Sequence, residues 1–109
     1  MWCYNSFMIM RTWRTRVDEA RIAEYERFAR EQSLPMFRSH RGFLGLLFSR
    51  NGADCVVTTL WQDHAAADAL EQSPRYRDTV SRITAAGFLA GTSTVERFEV
   101  HDHLLPHDL

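Results

Sequence analysis

The stretch CVVTTLWQDHAAADAL, Cys55 to Leu70, constrains this chain more than any other. Its first half carries Val56, Val57, Thr58 and Thr59, β-branched residues that are stiff at χ1 and suit a pleated sheet. Its second half is rich in alanine. Between them, Asp63 is placed to accept hydrogen bonds from the free N–H groups of a first helical turn. A buried strand therefore ends at Trp61 and a helix starts at Asp63. A strand this apolar needs cover on both faces, so the remaining residues must build a sheet around it and helices against it.

Read in order, the chain supplies both. Residues 8–16, MIMRTWRTR, predict a first strand, with Met8, Met10, Thr12 and Arg14 on one face and Ile9, Arg11, Trp13 and Thr15 on the other. Neither face is simply polar, which implies cover for both. Asp18 caps a helix reaching about Ser33, where Pro35 is expected to stop it. Ile22, Tyr25, Phe28 and Ala29 share one side of this helix. Glu26 with Arg30, and Arg27 with Glu31, are expected as pairs on its solvent side. Phe43 to Arg50 predicts a second strand, joined to the third by a hairpin at Asn51-Gly52. Ser73-Pro74 is an N-cap followed by a proline at the first helical position. The helix that follows has Tyr76, Val80 and Ile83 on one face and ends at Gly87. Thr92 to Val100 predicts the fourth strand.

The order is β-α-β-β-α-β, an α+β fold of ferredoxin-like type: a four-stranded antiparallel sheet with helices on one side. The bare side is expected to carry Ile9, Trp13 and other apolar residues. A second copy packed sheet to sheet would cover it, so a two-fold homodimer is expected. Residues 8–100 form the domain, 101–109 a flexible tail, and 1–7 an N-terminal extension if Met8 or Met10 is the natural start.

Composition narrows the functions. At 109 residues the chain supports one core. Its net charge of −1 argues against nucleic-acid binding, and strand three has no basic and aromatic stacking motif. All thirteen basic residues are arginine, which reads as coding bias. No apolar run reaches the length of a membrane span, and the N-terminus lacks the pattern of a signal peptide. With two cysteines, Cys55 read as a small buried hydrophobe, a reducing cytoplasm is the default. His101, His103 and His107 with Asp102 and Asp108 have metal-ligand chemistry. A loose tail offers nothing to orient them, and no metal site is expected.

The strand MIMRTWRTR, the segments GFLGLLFSR, TTLWQDHAAADAL and SPRYRDTVSRITAAGFL, and the closing VERFEV together resemble the antibiotic biosynthesis monooxygenase family of dimeric α+β barrels. The resemblance spans residues 8–100. It implies a sheet-to-sheet dimer and, in some members, cofactor-free oxygenation of polycyclic phenols or anthrones to quinones. Other members degrade haem, oxygenate quinols, or have no established reaction. The haem-degrading branch carries an Asn, a Trp and a His where Thr12, Leu70 and Val80 stand here, so haem degradation is disfavoured. The same threading implies that these three residues line an apolar pocket between sheet and helices.

Cofactor-free oxygenation asks for a dry apolar cavity, a base, and donors for an oxyanion. His64 and His40 are the candidate bases and Tyr76 a further catalytic candidate. Met10, Thr12, Tyr25, Phe28, Trp61, Leu70, Tyr76 and Val80 are the expected pocket residues, and Arg14 a possible donor. Each has a plainer reading: Trp61 as packing, the tyrosines as half-buried core, the histidines as surface residues. Two functions follow as expectations. One is a cofactor-independent monooxygenase acting on a small aromatic or quinol-like substrate. The other is a non-catalytic protein of the same fold that binds an apolar ligand or serves in stress.

Overall fold

The structure is a computed structural model that describes residues 7–109. The proposed extension, Phe7 apart, lies outside the described residues. Four strands, β1 (Met8–Arg16), β2 (Phe43–Asn51), β3 (Asp54–Trp61) and β4 (Thr94–Val100), form one sheet in the order β2-β3-β1-β4, with every neighbouring pair antiparallel. This is the ferredoxin-like arrangement. β2 and β3 are joined through Gly52 and Ala53, one residue later than the Asn51-Gly52 reading, so Asn51 pairs with Asp54 inside the ladder.

The helices cover one face. A helical run starts with a 3₁₀ turn at Glu19–Arg21, where Asp18 accepts from the Ala20 N–H, and continues as α1 (Ile22–Phe28). It then widens into a π turn, Ala29–Ser33, in which the Leu34 N–H reaches back five residues to the Ala29 carbonyl. The run goes on as α2 (Leu34–Arg38) straight through Pro35. Proline does not end it because it sits in the first turn of a new segment, where a missing N–H costs nothing. Glu26 is likewise drawn away from Arg30, and its carboxylate accepts from Arg50 Nε of β2 at 2.9 Å.

α3 (His64–Gln72) and α4 (Pro74–Ala85) begin where their caps predict. Asp63 accepts from the Ala66 N–H at 2.8 Å, and Ser73 Oγ from the Tyr76 N–H at 3.1 Å. Gly42 fixes how closely α3 sits on the sheet. Its φ is +86°, and a Cβ there would meet Ala66 Cβ at 2.6 Å. Gly87, at φ +83°, follows the end of α4.

Ile9 and Trp13 pack with Met36, Phe37, Val57, Trp61, Ala67 and Leu70, so the odd-numbered face of β1 looks toward the helices. This reverses the expected sidedness. Ile9 and Trp13 belong to the core, and Met10 and Thr12 lie on the open face, beside Leu60 and Phe98 and beside Thr58 and Glu96 respectively. The reason is the period of two: one residue of slip exchanges every side chain between faces. The core gains more from Ile9 and Trp13 than it would from Met10 and Thr12. The open face is still apolar, with Leu47 and Phe98 63% and 43% exposed.

Candidate functional site

Between the sheet and the helix layer lies a small cavity of about 40 Å³. β1 contributes Arg11 and Trp13 to its wall, β2 Phe48 and β3 Val57; Tyr76, Thr79, Val80 and Ile83 come from α4. The remaining wall is the helical run, where Tyr25, Ala29, Ser33, Met36 and Phe37 face inward. The π turn matters here. Ala29 and Ser33, one at each end of it, lie four residues apart and share the cavity side, where both are buried, and the wider turn resets the phase of the residues that follow. Such turns recur at functional sites because they re-aim side chains that a regular helix would point elsewhere.

The wall is mostly apolar; besides Ser33 and Thr79, whose hydroxyl donates to the Arg75 carbonyl, two places carry polar groups. The first is a corner built on Arg11, which is 2% exposed in the middle of β1. A buried guanidinium is costly to leave uncompensated, by about 3–5 kcal/mol when a partner is removed. Here Nε donates to Glu71 Oε2 at 2.7 Å, and Nη2 donates to Tyr76 Oη at 2.7 Å. The guanidinium carbon lies 5.2 Å from the centre of the Tyr76 ring. Because the Tyr76 oxygen accepts from Arg11, its own proton is available to donate. Burial pushes the Glu71 carboxyl upward, but the Arg11 hydrogen bond and the charges of Arg11 and Arg97 outweigh it and hold the group below the usual carboxylate range. Arg97 Nη2 bridges Glu71 at 3.0 Å and Asp68 at 2.8 Å.

The second place is Tyr25, 4% exposed, whose hydroxyl has no hydrogen-bond partner among the described residues. Burial, with the Cys55 thiol beside it, pushes the phenol well above the ordinary tyrosine range. Tyr25 is therefore a neutral donor held in apolar surroundings.

The expected site residues divide sharply. Tyr25, Tyr76 and Val80 line the cavity. Met10 and Thr12 lie on the other side of the sheet. Leu70 is fully buried in the core under α3, and Phe28 packs edge-on against Phe88 at 6.1 Å. Trp61 is also fully buried, its ring edge-on to Phe37, Phe43 and His40, and its Nε1 donates to Thr59 Oγ1 at 2.7 Å. Thr12 lies outside this cavity, and the fold brings Arg11 and Trp13 of β1 to its wall.

Neither histidine lines the cavity. His40 ties the end of α2 to the α3–α4 junction. Its Nδ1 donates to the Met36 carbonyl at 2.8 Å, and its Nε2 shares a hydrogen bond with Ser73 Oγ at 2.8 Å. A carbonyl only accepts, so Nδ1 carries a proton. His64 is exposed at the start of α3, with Nδ1 3.2 Å from Arg97 Nη1 and Nε2 3.5 Å from Glu99. Arg14 is exposed and faces Glu96 at 3.7 Å. Arg11, the arginine that does reach the cavity, was readable as a charge between Ile9 and Trp13 on one strand face. Among the described residues no three metal-ligating side chains converge, and His103 and His107 each face Asp108.

The family model described as antibiotic biosynthesis monooxygenase matches residues 7–82. Among curated proteins none matches the chain. Solved structures match closely in shape. A monooxygenase from the gene ActVA-Orf6 of Streptomyces coelicolor, in complex with nanaomycin D, has TM-score 0.77 at 18% identity, covering 92% of this chain and 93% of that one. SnoaB from Streptomyces nogalater, a cofactor-independent oxygenase, has TM-score 0.68 at 20% identity, covering 91% and 98%. A protein of unknown function from Nitrosomonas europaea, NE2512, has TM-score 0.75 at 16% identity, covering 94% and 98%. At these identities the likeness is one of fold.

Proposed function

The chain belongs to the antibiotic biosynthesis monooxygenase family, and from that membership we propose that it oxygenates a small aromatic substrate of phenol, anthrone or quinol type without a cofactor, as a homodimer. The observation that carries this reading is the Arg11–Tyr76 hydrogen bond in the wall of a mostly apolar cavity. An acidic aromatic becomes reactive toward oxygen once it is deprotonated. A cation and a phenolic donor side by side stabilise that oxyanion, and they are worth more where water is excluded. With no histidine in the wall, the ionised substrate is favoured by Arg11 and Tyr76 and its proton leaves to water. The electron-rich ring carbon then reduces dioxygen and bonds to it. Loss of water from the hydroperoxide leaves a quinone carbonyl. One substrate and one dioxygen give one quinone and one water, so no outside reductant is needed.

The cavity holds water-sized molecules, whereas pockets for drug-sized ligands run to about 300–1,000 Å³. Entry of a bicyclic or tricyclic substrate therefore requires the wall to open while Tyr76 keeps its bond to Arg11. Val80, already 39% exposed, marks the edge that opens.

The absence of either histidine from the wall favours a second reading, a protein that binds an apolar ligand without turning it over. Oxygen uptake by chelator-treated protein, with a panel of anthrones, naphthols and quinols, separates the two. Uptake with one quinone formed per dioxygen supports the oxygenase. Quenching of protein fluorescence by the same compounds, without uptake, replaces it with the binding reading.

A further inference from the structure

We infer that Glu71 is a positioning residue for this site, setting the direction of the Arg11 guanidinium and through it the Tyr76 hydroxyl. Four elements meet in one chain of contacts. Arg97 of β4 donates to Glu71 of α3, Glu71 accepts from Arg11 Nε of β1, and Arg11 Nη2 donates to Tyr76 Oη of α4. The bond to Nε is the decisive one. A guanidinium is planar and its donors are fixed in a fork, so holding Nε also sets where Nη2 points. Arg11 could otherwise extend toward the surface depression that Asp68, Glu71 and Arg97 line, since it borders that depression as well as the cavity. The Glu71 carboxylate is itself pinned, one oxygen on Arg11 and the other on Arg97. Arg97 lies past residue 82, beyond the part of the chain that the family model matches, so the outer end of this relay belongs to the closing strand.

The kinetic consequence rests on the oxygenase reading, and the geometric one does not. If Arg11 and Tyr76 act on the oxyanion, losing Glu71 lowers kcat and leaves KM nearly alone, because the apolar walls that bind the ring are untouched.

The test compares Glu71→Gln, Glu71→Ala and Glu71→Asp with Asp78→Asn, which breaks only an exposed pair with Arg82 on α4. Circular dichroism first confirms that each variant is folded. Nitrogen-15 NMR then follows the Arg11 Nε–H signal, assigned by its disappearance in Arg11→Lys. We expect a protected signal in the wild type and in Asp78→Asn, its loss to solvent exchange in Glu71→Ala, and partial recovery in Glu71→Asp. An unchanged Arg11 signal in folded Glu71→Ala overturns the inference, whatever the activity. With an oxygen-consuming substrate, we expect kcat to fall about tenfold in Glu71→Gln with KM within about twofold. A rise in KM alone also overturns it. Should no substrate consume oxygen, the functional reading fails while the NMR comparison still decides this one.

Discussion

The indole N–H of Trp61 donates to the hydroxyl of Thr59, two residues back on the same face of β3, across 2.7 Å. Both side chains are almost wholly buried, and Thr59 Oγ1 lies 3.4 Å from the Arg11 carbonyl. Thr59 is thus the acceptor that permits a tryptophan to be buried at the strand end. Thr59→Val keeps shape and β propensity but leaves the indole N–H without a partner. We expect a loss of about 1–3 kcal/mol in urea unfolding, with Thr59→Ser closer to wild type. Equal stability of the valine and wild-type proteins would show that the indole finds another acceptor.

What the sequence disclosed divides along a physical line. Caps are local, so Asp63 and Ser73 could be read from a few residues, and the strand order followed from the pattern of elements. Which face of β1 turns inward is not local. Both alternations mix apolar and charged residues, and only packing against Met36, Phe37 and Leu70 decides between them. The π turn was hidden for a similar reason. Nothing in AREQS marks a five-residue step. His40 has the chemistry of a base, but its partners are a carbonyl and a cap hydroxyl that the chain brings together only on folding.

Ala29 tests the cavity. It is nearly fully buried at the start of the π turn, facing a space of about 40 Å³. Ala29→Leu adds roughly three methylene-sized groups and fills that space. Overpacking should cost about 1–3 kcal/mol. Titration of aromatic ligands, followed by the fluorescence of Trp13 in the opposite wall, should show binding abolished. Unchanged affinity in a folded Ala29→Leu protein would place the ligand elsewhere.

Glu71 makes stability depend on acid. Its folded carboxyl is held below the usual range, so it binds fewer protons than in the unfolded chain. The stability that this contributes is complete above the ordinary carboxylate range and is lost as pH falls through the lowered folded value. The difference in urea midpoint between wild type and Glu71→Gln should be largest near neutrality and shrink in acid. A difference that grows in acid would contradict the assigned direction.

Tyr25 should do the opposite at high pH. Its folded phenol is raised, so its contribution is complete below the unfolded value of about 10 and is lost as pH climbs toward the folded one. The same hydroxyl has no partner to lose. Tyr25→Phe should therefore match or exceed wild-type stability near neutrality, by up to about 1 kcal/mol, and lose less in alkali. Destabilisation by more than that near neutrality would mean that a buried water satisfies the hydroxyl in solution.

The open face of the sheet makes the last prediction. Leu47 is 63% exposed midway along the edge strand β2, opposite Thr58, and Met10, Leu60 and Phe98 extend the same apolar surface. A sheet covered by helices on one side only leaves such a face to water unless another surface meets it. A second copy is self-complementary by symmetry, which no unrelated partner needs to be. Light scattering after gel filtration should give twice the chain mass for the wild type at micromolar concentration. Leu47→Glu should give the chain mass, because each copy would bring a carboxylate into the covered apolar face. Leu47 lies on the face away from the cavity, so its effect on ligand binding reports whether the sheet must be braced by its partner for the pocket to hold its shape. A wild-type protein that elutes as a monomer sinks the dimer, and the apolar face would then need a different partner.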